Sequence, residues 1–163
     1  MLVMKSLPKK ATLLFLVKEN KILLAMKKRG FGEGRWNGVG GKPEKNESIE
    51  QAAIRECYEE IKVLPVDIKR VATLNFYFPS HKSDWNQQVI VWICKEWKGE
   101  PSETEEMKPQ WYEIDDIPYG SMWKDDEYWL PKVLEGSYVE AEFTFGENDD
   151  VLSNSINAKP FDL

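Results

Sequence analysis

The sequence predicts an α/β fold, a mixed β-sheet covered on its faces by helices. Three observations predict it. Short runs rich in β-branched and aromatic residues recur along the chain, and turn residues separate them. Two separated stretches space their apolar residues as helices do. The 163 residues are 42% hydrophobic and 31% charged, enough for one sizeable core and too apolar for a disordered chain.

The elements follow in order. Residues 11–17 and 22–27 read as two strands of a hairpin turning through Glu19, Asn20 and Lys21. Lys5, Lys9 and Lys10 ahead of the first run loosely imitate a secretory leader, but no small-residue cleavage site follows. A glycine-rich stretch fills 30–41, and a helix follows at 48–61. Strands at 66–78 and 87–97 flank a polar loop that holds His81. A short strand at 110–114 leads to Ile117-Pro118, and a second helix runs from about 125 to 135. Strands at 138–145 and 151–155 close a single domain, 1–163, with a loose tail at 157–163. No run reaches the roughly 18 apolar residues of a membrane span.

Acids outnumber bases 28 to 22, which gives a net charge of −6. A basic surface for nucleic acid or membrane is disfavoured, so a polyanionic substrate would need metal ions or backbone N–H groups. Cys57 and Cys94 form neither a metal-spaced pair nor a disulfide framework. That fits a reducing compartment such as the cytoplasm, with nucleus and organelles left open. His81, the lone histidine, cannot build a histidine metal site and reads as surface.

Six of the ten glycines fall within 30–41, where backbone can approach a ligand closely. Neither familiar phosphate loop fits. No register gives G-x-G-x-x-G, and Gly41-Lys42 precedes Pro43 rather than Ser or Thr.

On a wheel of about 100° per residue, Ile49, Ala53, Ile54, Cys57 and Ile61 share one helix face. Glu56, Glu59 and Glu60 form a ridge beside it. Three carboxylates in one turn repel by a few tenths of a kcal/mol per pair, and only Arg55 is placed to relieve them. Such oxygens are a solvated face or a site for a hard cation such as Mg²⁺.

The spacing resolves this choice. Gly41-x5-Glu47-x7-Arg55-Glu56-Cys57-x-Glu59-Glu60-x-Lys62-Val63 resembles the Nudix box, G-x5-E-x7-R-E-U-x-E-E-x-G-U. Cys57 stands for an aliphatic residue at little loss. Lys62 stands for the glycine, which costs about 1 kcal/mol if the position is left-handed. The resemblance implies the Nudix fold, an α/β/α sandwich. It implies that Glu56, Glu59 and Glu60 supply metal ligands or a base, that Arg55 and Glu47 pair to hold them, and that Gly40 and Gly41 bring backbone to phosphate and metal. Which glutamate is the base stays open.

The likeness extends to the branch of that family that hydrolyses oxidised purine nucleoside triphosphates. It is carried by Leu23-Leu24-Ala25-Met26-Lys27-Lys28-Arg29-Gly30-Phe31-Gly32 and Gly34-Arg35-Trp36-Asn37-Gly38. It continues in Glu105-Glu106-Met107-Lys108-Pro109, Trp111, Ile117-Pro118 and Met122-Trp123-Lys124-Asp125-Asp126-Glu127-Tyr128-Trp129. There is a small insertion near His81, and the likeness fades after Gly146. It implies that Trp123 stacks on the base while Asp125, Asp126 and Asn37 read its edge. Phe31, Phe76, Met107 and Phe145 match apolar pocket residues, and Thr12 and Lys27 polar ones near base and sugar. Asp125 as a helix N-cap, Trp123 as core and Glu106 as an acidic loop residue are the competing readings; otherwise Glu106 is a further metal ligand. Gln87 stands where the branch has an apolar residue.

The activity implied is a Mg²⁺-dependent (or Mn²⁺-dependent) pyrophosphohydrolase. It would convert 8-oxo-dGTP and 2-oxo-dATP to monophosphate and pyrophosphate, and so sanitise the nucleotide pool. The expected partner is a small nucleotide, with neither nucleic acid polymer nor membrane, and the expected state a monomer. Other Nudix substrates (an alkylated purine triphosphate, a dinucleoside polyphosphate) and a non-catalytic nucleotide-binding module are the alternatives.

Overall fold

A computed structural model describes residues 8–162. Lys5 and the last residue of the expected tail lie outside them. Strands β1 (Lys9–Lys18) and β2 (Lys21–Lys27) form the expected hairpin, followed by β3 (Trp36–Asn37), β4 (Val39–Gly41) and helix α1 (Ile49–Ile61). Then come β5 (Leu64–Tyr77), β6 (Gln87–Lys98), β7 (Met107–Glu113), helix α2 (Asp126–Leu134), β8 (Ser137–Phe145) and β9 (Val151–Pro160). The sheet runs β3-β2-β1-β6-β5-β8-β9, with β4 paired to β1 and β7 to β2. It is mixed, since β1/β6 and β5/β8 are parallel.

Period-two alternation feeds both faces of this sheet. Leu14, Leu16, Leu23, Ala25, Ile90, Trp92 and Cys94 face α1, where they meet Ala53, Cys57 and Ile61. Their chain neighbours Phe15, Val17, Ile22, Leu24, Val89, Val91 and Ile93 face α2, where they meet Trp129, Leu130 and Val133. Each fully buried Leu or Phe contributes about 1.5–3 kcal/mol to this two-sided core. Ile54, expected on the buried face of α1, is only half-buried, and Ala52 takes its place.

The glycine-rich stretch contributes two short strands, since β3 and β4 pair with β2 and β1. Two expectations change. The strand expected at 110–114 is β7, which starts at Met107 and carries Pro109. Pro109 is tolerated because, among the described residues, β2 is the one partner that β7 pairs with. The expected loose tail from 157 is ordered to Pro160, where β9 still pairs with Ser137 of β8. Polar edge positions such as Asn157 carry no apolar alternation, so backbone pairing alone extends the strand.

Ser48 caps α1. Its hydroxyl accepts from Gln51 N–H at 3.0 Å, and Gln51 Oε1 accepts from Ser48 N–H at 2.9 Å. Lys62 ends the helix at φ 63°, ψ 29°, the left-handed conformation that glycine adopts without penalty, with its N–H on Tyr58 O at 2.9 Å. Lys62→Gly should therefore stabilise the chain by about 1 kcal/mol. Urea unfolding checks this: the midpoint should rise with unchanged slope, and a fall would mean the Lys62 side chain contributes more than its backbone strains.

Candidate active site

Strand β4 is squeezed between β1 and α1. A Cβ on Gly40 would lie 1.8 Å from the Thr12 carbonyl oxygen, and one on Gly41 would lie 2.6 Å from Glu56 Cδ. Only glycine permits the backbone approach at Gly40, and at Gly41 a side chain would push the Glu56 carboxyl aside. The carboxyls of α1 thus come directly against the β4 backbone, where Gly40 N–H donates to Glu60 Oε2 at 3.4 Å.

Arg55 organises these acids. Its Nε and Nη2 donate to the two oxygens of Glu47 at 2.8 and 2.9 Å. Nη1 donates to Glu56 Oε1 at 3.0 Å and Glu59 Oε2 at 3.1 Å, and Nη2 also to the Lys42 carbonyl at 3.1 Å. Every guanidinium N–H is used. The Arg55 bonds hold the Glu47 carboxyl below its usual range. Glu56 moves the other way because burial outweighs Arg55. Burial, then the charge of Glu56, pushes the Glu60 carboxyl up to about 8. Glu60 is only 4% exposed. Two acids this close stay ionised together only with a cation beside them. That donor chemistry fits a divalent ion.

The full expected ridge is not drawn together. Glu59 is 54% exposed and turned toward Arg55, and Glu106 is 51% exposed and pairs with Arg29 at 3.2 Å. Among the described residues no three His, Cys, Asp or Glu side chains form a ready-made ligand cluster. The pair placed against β4 is Glu56 and Glu60.

The expected substrate residues are brought together. Thr12, Lys27, Phe31, Asn37, Phe76, Met107, Trp123, Asp125, Asp126 and Phe145 all line one cavity of about 420 Å³, with Gly40, Gly41 and Lys42 also on its wall. Trp123 lies against Phe31 with ring centroids 5.1 Å apart. The Arg35 guanidinium sits 4.0 Å over its ring, tied to Asp149 at 2.9 Å. Asp125 makes no capping bond; its Oδ2 accepts from Trp129 Nε1 at 2.8 Å. Asp126 Oδ2 is buried without a protein partner. Burial pushes Asp125 up to about 6, and burial with the Asp125 charge lifts Asp126 well above its ordinary value. Burial thus favours the protonated form at this pair, and a carboxyl that keeps its proton beside an ionised one would offer both a donor and acceptors to the cavity.

Sequence reasoning did not single out Arg35, Phe78, Trp85 or Trp129, which also line the cavity. Arg35, two residues before Asn37, and Trp129 both lie in stretches that carry the family resemblance, which is their signal in the sequence. Trp85 sits in a polar loop and gave none.

Comparison with known proteins decides the family. A family model described as the NUDIX domain matches residues 7–133. The chain belongs to the Nudix family. It is 39% identical over 145 residues to the oxidized purine nucleoside triphosphate hydrolase of Mus musculus, covering 89% of this chain and 92% of that one. The Danio rerio protein of the same description is 38% identical over 146 residues, covering 90% and 92%. Among solved structures, a MutT protein from Bacillus halodurans matches with a TM-score of 0.81 at 23% identity, over 91% of this chain and 97% of that one. The Nudix fold thus spans nearly the whole chain.

The acid pair of this Nudix protein has a stability consequence. Carboxyls raised by folding bind protons more tightly in the folded state, so they remove stability as pH rises from about 4 through 6 and beyond. Asp126→Asn should gain stability relative to wild type between pH 5 and pH 8, as read by urea unfolding at both. Glu56 and Glu60 titrate in both proteins and cancel. A difference that stays constant with pH would rule out a shared buried proton.

Proposed function

We propose that this chain is a Mg²⁺-dependent pyrophosphohydrolase of oxidised purine (deoxy)nucleoside triphosphates. It converts 8-oxo-dGTP and 2-oxo-dATP to the monophosphate and pyrophosphate, and so sanitises the nucleotide pool. One observation carries the reading. A single cavity joins the buried acid pair Asp125 and Asp126 beside Trp123 to the Gly40–Gly41 backbone that lies against Glu56 and Glu60. The names and high coverage of the mouse and zebrafish relatives support it.

The base lies along Trp123, and its altered edge meets Asp125, Asp126 and Asn37. One carboxyl that donates beside one that accepts suits either of two oxidised edges. Phe31, Phe76, Met107 and Phe145 exclude water, and Thr12 and Lys27 stand near base and sugar. The phosphates lie along Gly40 and Gly41, where no side chain intervenes. Glu56 and Glu60 would hold the divalent ion, with Glu59 and Glu106 as further candidate ligands. When bound, the ion neutralises phosphate oxygens and eases deprotonation of water. Arg55, locked to Glu47, orients the carboxyls of α1, and one of these takes the proton as water adds to phosphorus and the pyrophosphate bond breaks.

The protein is read as a monomer that meets free nucleotides in the cytoplasm, without nucleic acid polymer or membrane. The net charge of −6 and the buried free thiols of Cys57 and Cys94 support this. No helix among the described residues is long and apolar enough to cross a membrane.

The test is pyrophosphate release with Mg²⁺ from 8-oxo-dGTP, 2-oxo-dATP, O6-methyl-dGTP and dGTP, beside Glu60→Gln. A modified purine should be preferred, and Glu60→Gln should lower kcat by about 10²–10⁴ with its fold retained. Equal slow turnover of all four substrates would overturn the base-pocket assignment. No turnover would point to a binding module.

A further inference from the structure

Ser80–Trp85 forms a 3-10 turn between β5 and β6, where the sequence carries its small insertion. The turn is tied down at both ends. Lys82 N–H donates to Pro79 O at 2.7 Å, and Asn86 N–H to Ser83 O at 3.0 Å. Asn86 Oδ1 accepts from Phe78 N–H at 2.7 Å, and the Asn86 carbonyl accepts from Lys9 N–H at 3.3 Å. What this turn presents is an indole at the cavity mouth. Trp85 lines the cavity and is 43% exposed, beside Phe31 at 42%.

Its aromatic contacts are with pocket rings, and the Lys82 ammonium lies over its ring, 5.3 Å from the centroid. Trp85 meets Phe31 edge-on at 5.2 Å and Phe78 at 5.7 Å between centroids. The same two phenylalanines meet Trp123, at 5.1 and 6.4 Å. Two phenyl rings thus stand between two indoles. A large aromatic left this exposed at a cavity rim, on a turn fixed in advance, has more to gain from a ligand than from the fold.

We infer that Trp85 is a further substrate-binding residue, an outer aromatic wall at the cavity mouth that contacts a purine nucleotide whose base is held at Trp123. The inference rests on the nucleotide reading above. The ligand class is a neutral purine nucleotide. The Arg35 cation already over the Trp123 ring disfavours a cationic base there.

The test compares wild type, Trp85→Ala and Trp85→Phe in two assays. One is steady-state hydrolysis of 8-oxo-dGTP, and the other is calorimetric binding of 8-oxo-dGMP without metal. Trp85→Ala should raise KM and weaken 8-oxo-dGMP binding about ten-fold, the size of one base–aromatic contact, with kcat within about two-fold. Trp85→Phe should recover most of both, which loss of a merely structural ring would not give. Unchanged KM and unchanged binding in Trp85→Ala would overturn the inference while leaving the activity intact. So would a fall in kcat with KM unchanged. If wild type neither hydrolyses 8-oxo-dGTP nor binds 8-oxo-dGMP, the nucleotide reading fails and the inference with it.

Discussion

Strand β4 lies where a side chain cannot fit, and most of the site follows from that. With a Cβ at Gly40, β4 could not pair with β1 at Thr12 and Leu13; with one at Gly41, the Glu56 carboxyl would be pushed from its place. The missing side chains let a three-residue strand fasten a helix to a sheet. They also fix how far the acids of α1 stand from a bare backbone. The capping box at Ser48 and the left-handed stop at Lys62 set where that helix starts and ends, so its acids come into register with β4. Arg55 then holds the remaining freedom. A planar fork with two bonds to Glu47 can orient Glu56 and Glu59 together, which a lysine could not.

Asp125 and Asp126 line the cavity and Glu56 and Glu60 lie behind its Gly40–Gly41 wall, and physical chemistry allows each acid pair a different solution. Glu56 and Glu60 lie on a polar helix edge with the field of Lys27 in reach, a place where a cation can balance them. Asp125 and Asp126 lie among Trp123, Trp129 and Phe145, where no cation among the described residues bonds directly to them and burial favours the protonated form. Like acids are therefore driven to unlike charge states because their surroundings differ.

Much of this was legible in the sequence because it rests on local rules. Alternation along β1, β2 and β6 shows in the order of residues, and so do the cap at Ser48 and the spacing of Arg55 with its glutamates. The ten residues expected at the substrate do share one cavity. What escaped depends on three-dimensional partners. Glu59 has the spacing of a ligand, but Arg55 lies four residues before it and turns it outward. Glu106 goes to Arg29 from another loop. β9 continues to Pro160 because β8 offers a free edge, which no residue of 157–160 announces. Trp85 reads as part of a polar loop, and only the register of β5 against β6 brings it to the cavity rim.

The acidic composition and a polyanionic substrate are reconciled at the rim. The β8–β9 turn carries Glu147, Asp149 and Asp150, and each meets a different segment around the cavity. Glu147 pairs with His81 and Lys82, Asp149 with Arg35, and Asp150 with Lys124. Exposed pairs of this kind contribute little to stability, so their consequence is placement. They neutralise three acids that would otherwise face an incoming phosphate chain, and Arg35 is held over Trp123 instead of reaching into solvent. The cavity wall carries Lys9, Lys27 and Lys42 as well as Asp84, Asp125 and Asp126, and burial lifts the last two toward their neutral form. Beyond the roughly 8 Å over which salt screens charge, the net −6 of the chain matters little. A polyanion approaching this mouth meets those local lysines and a glycine backbone without side chains.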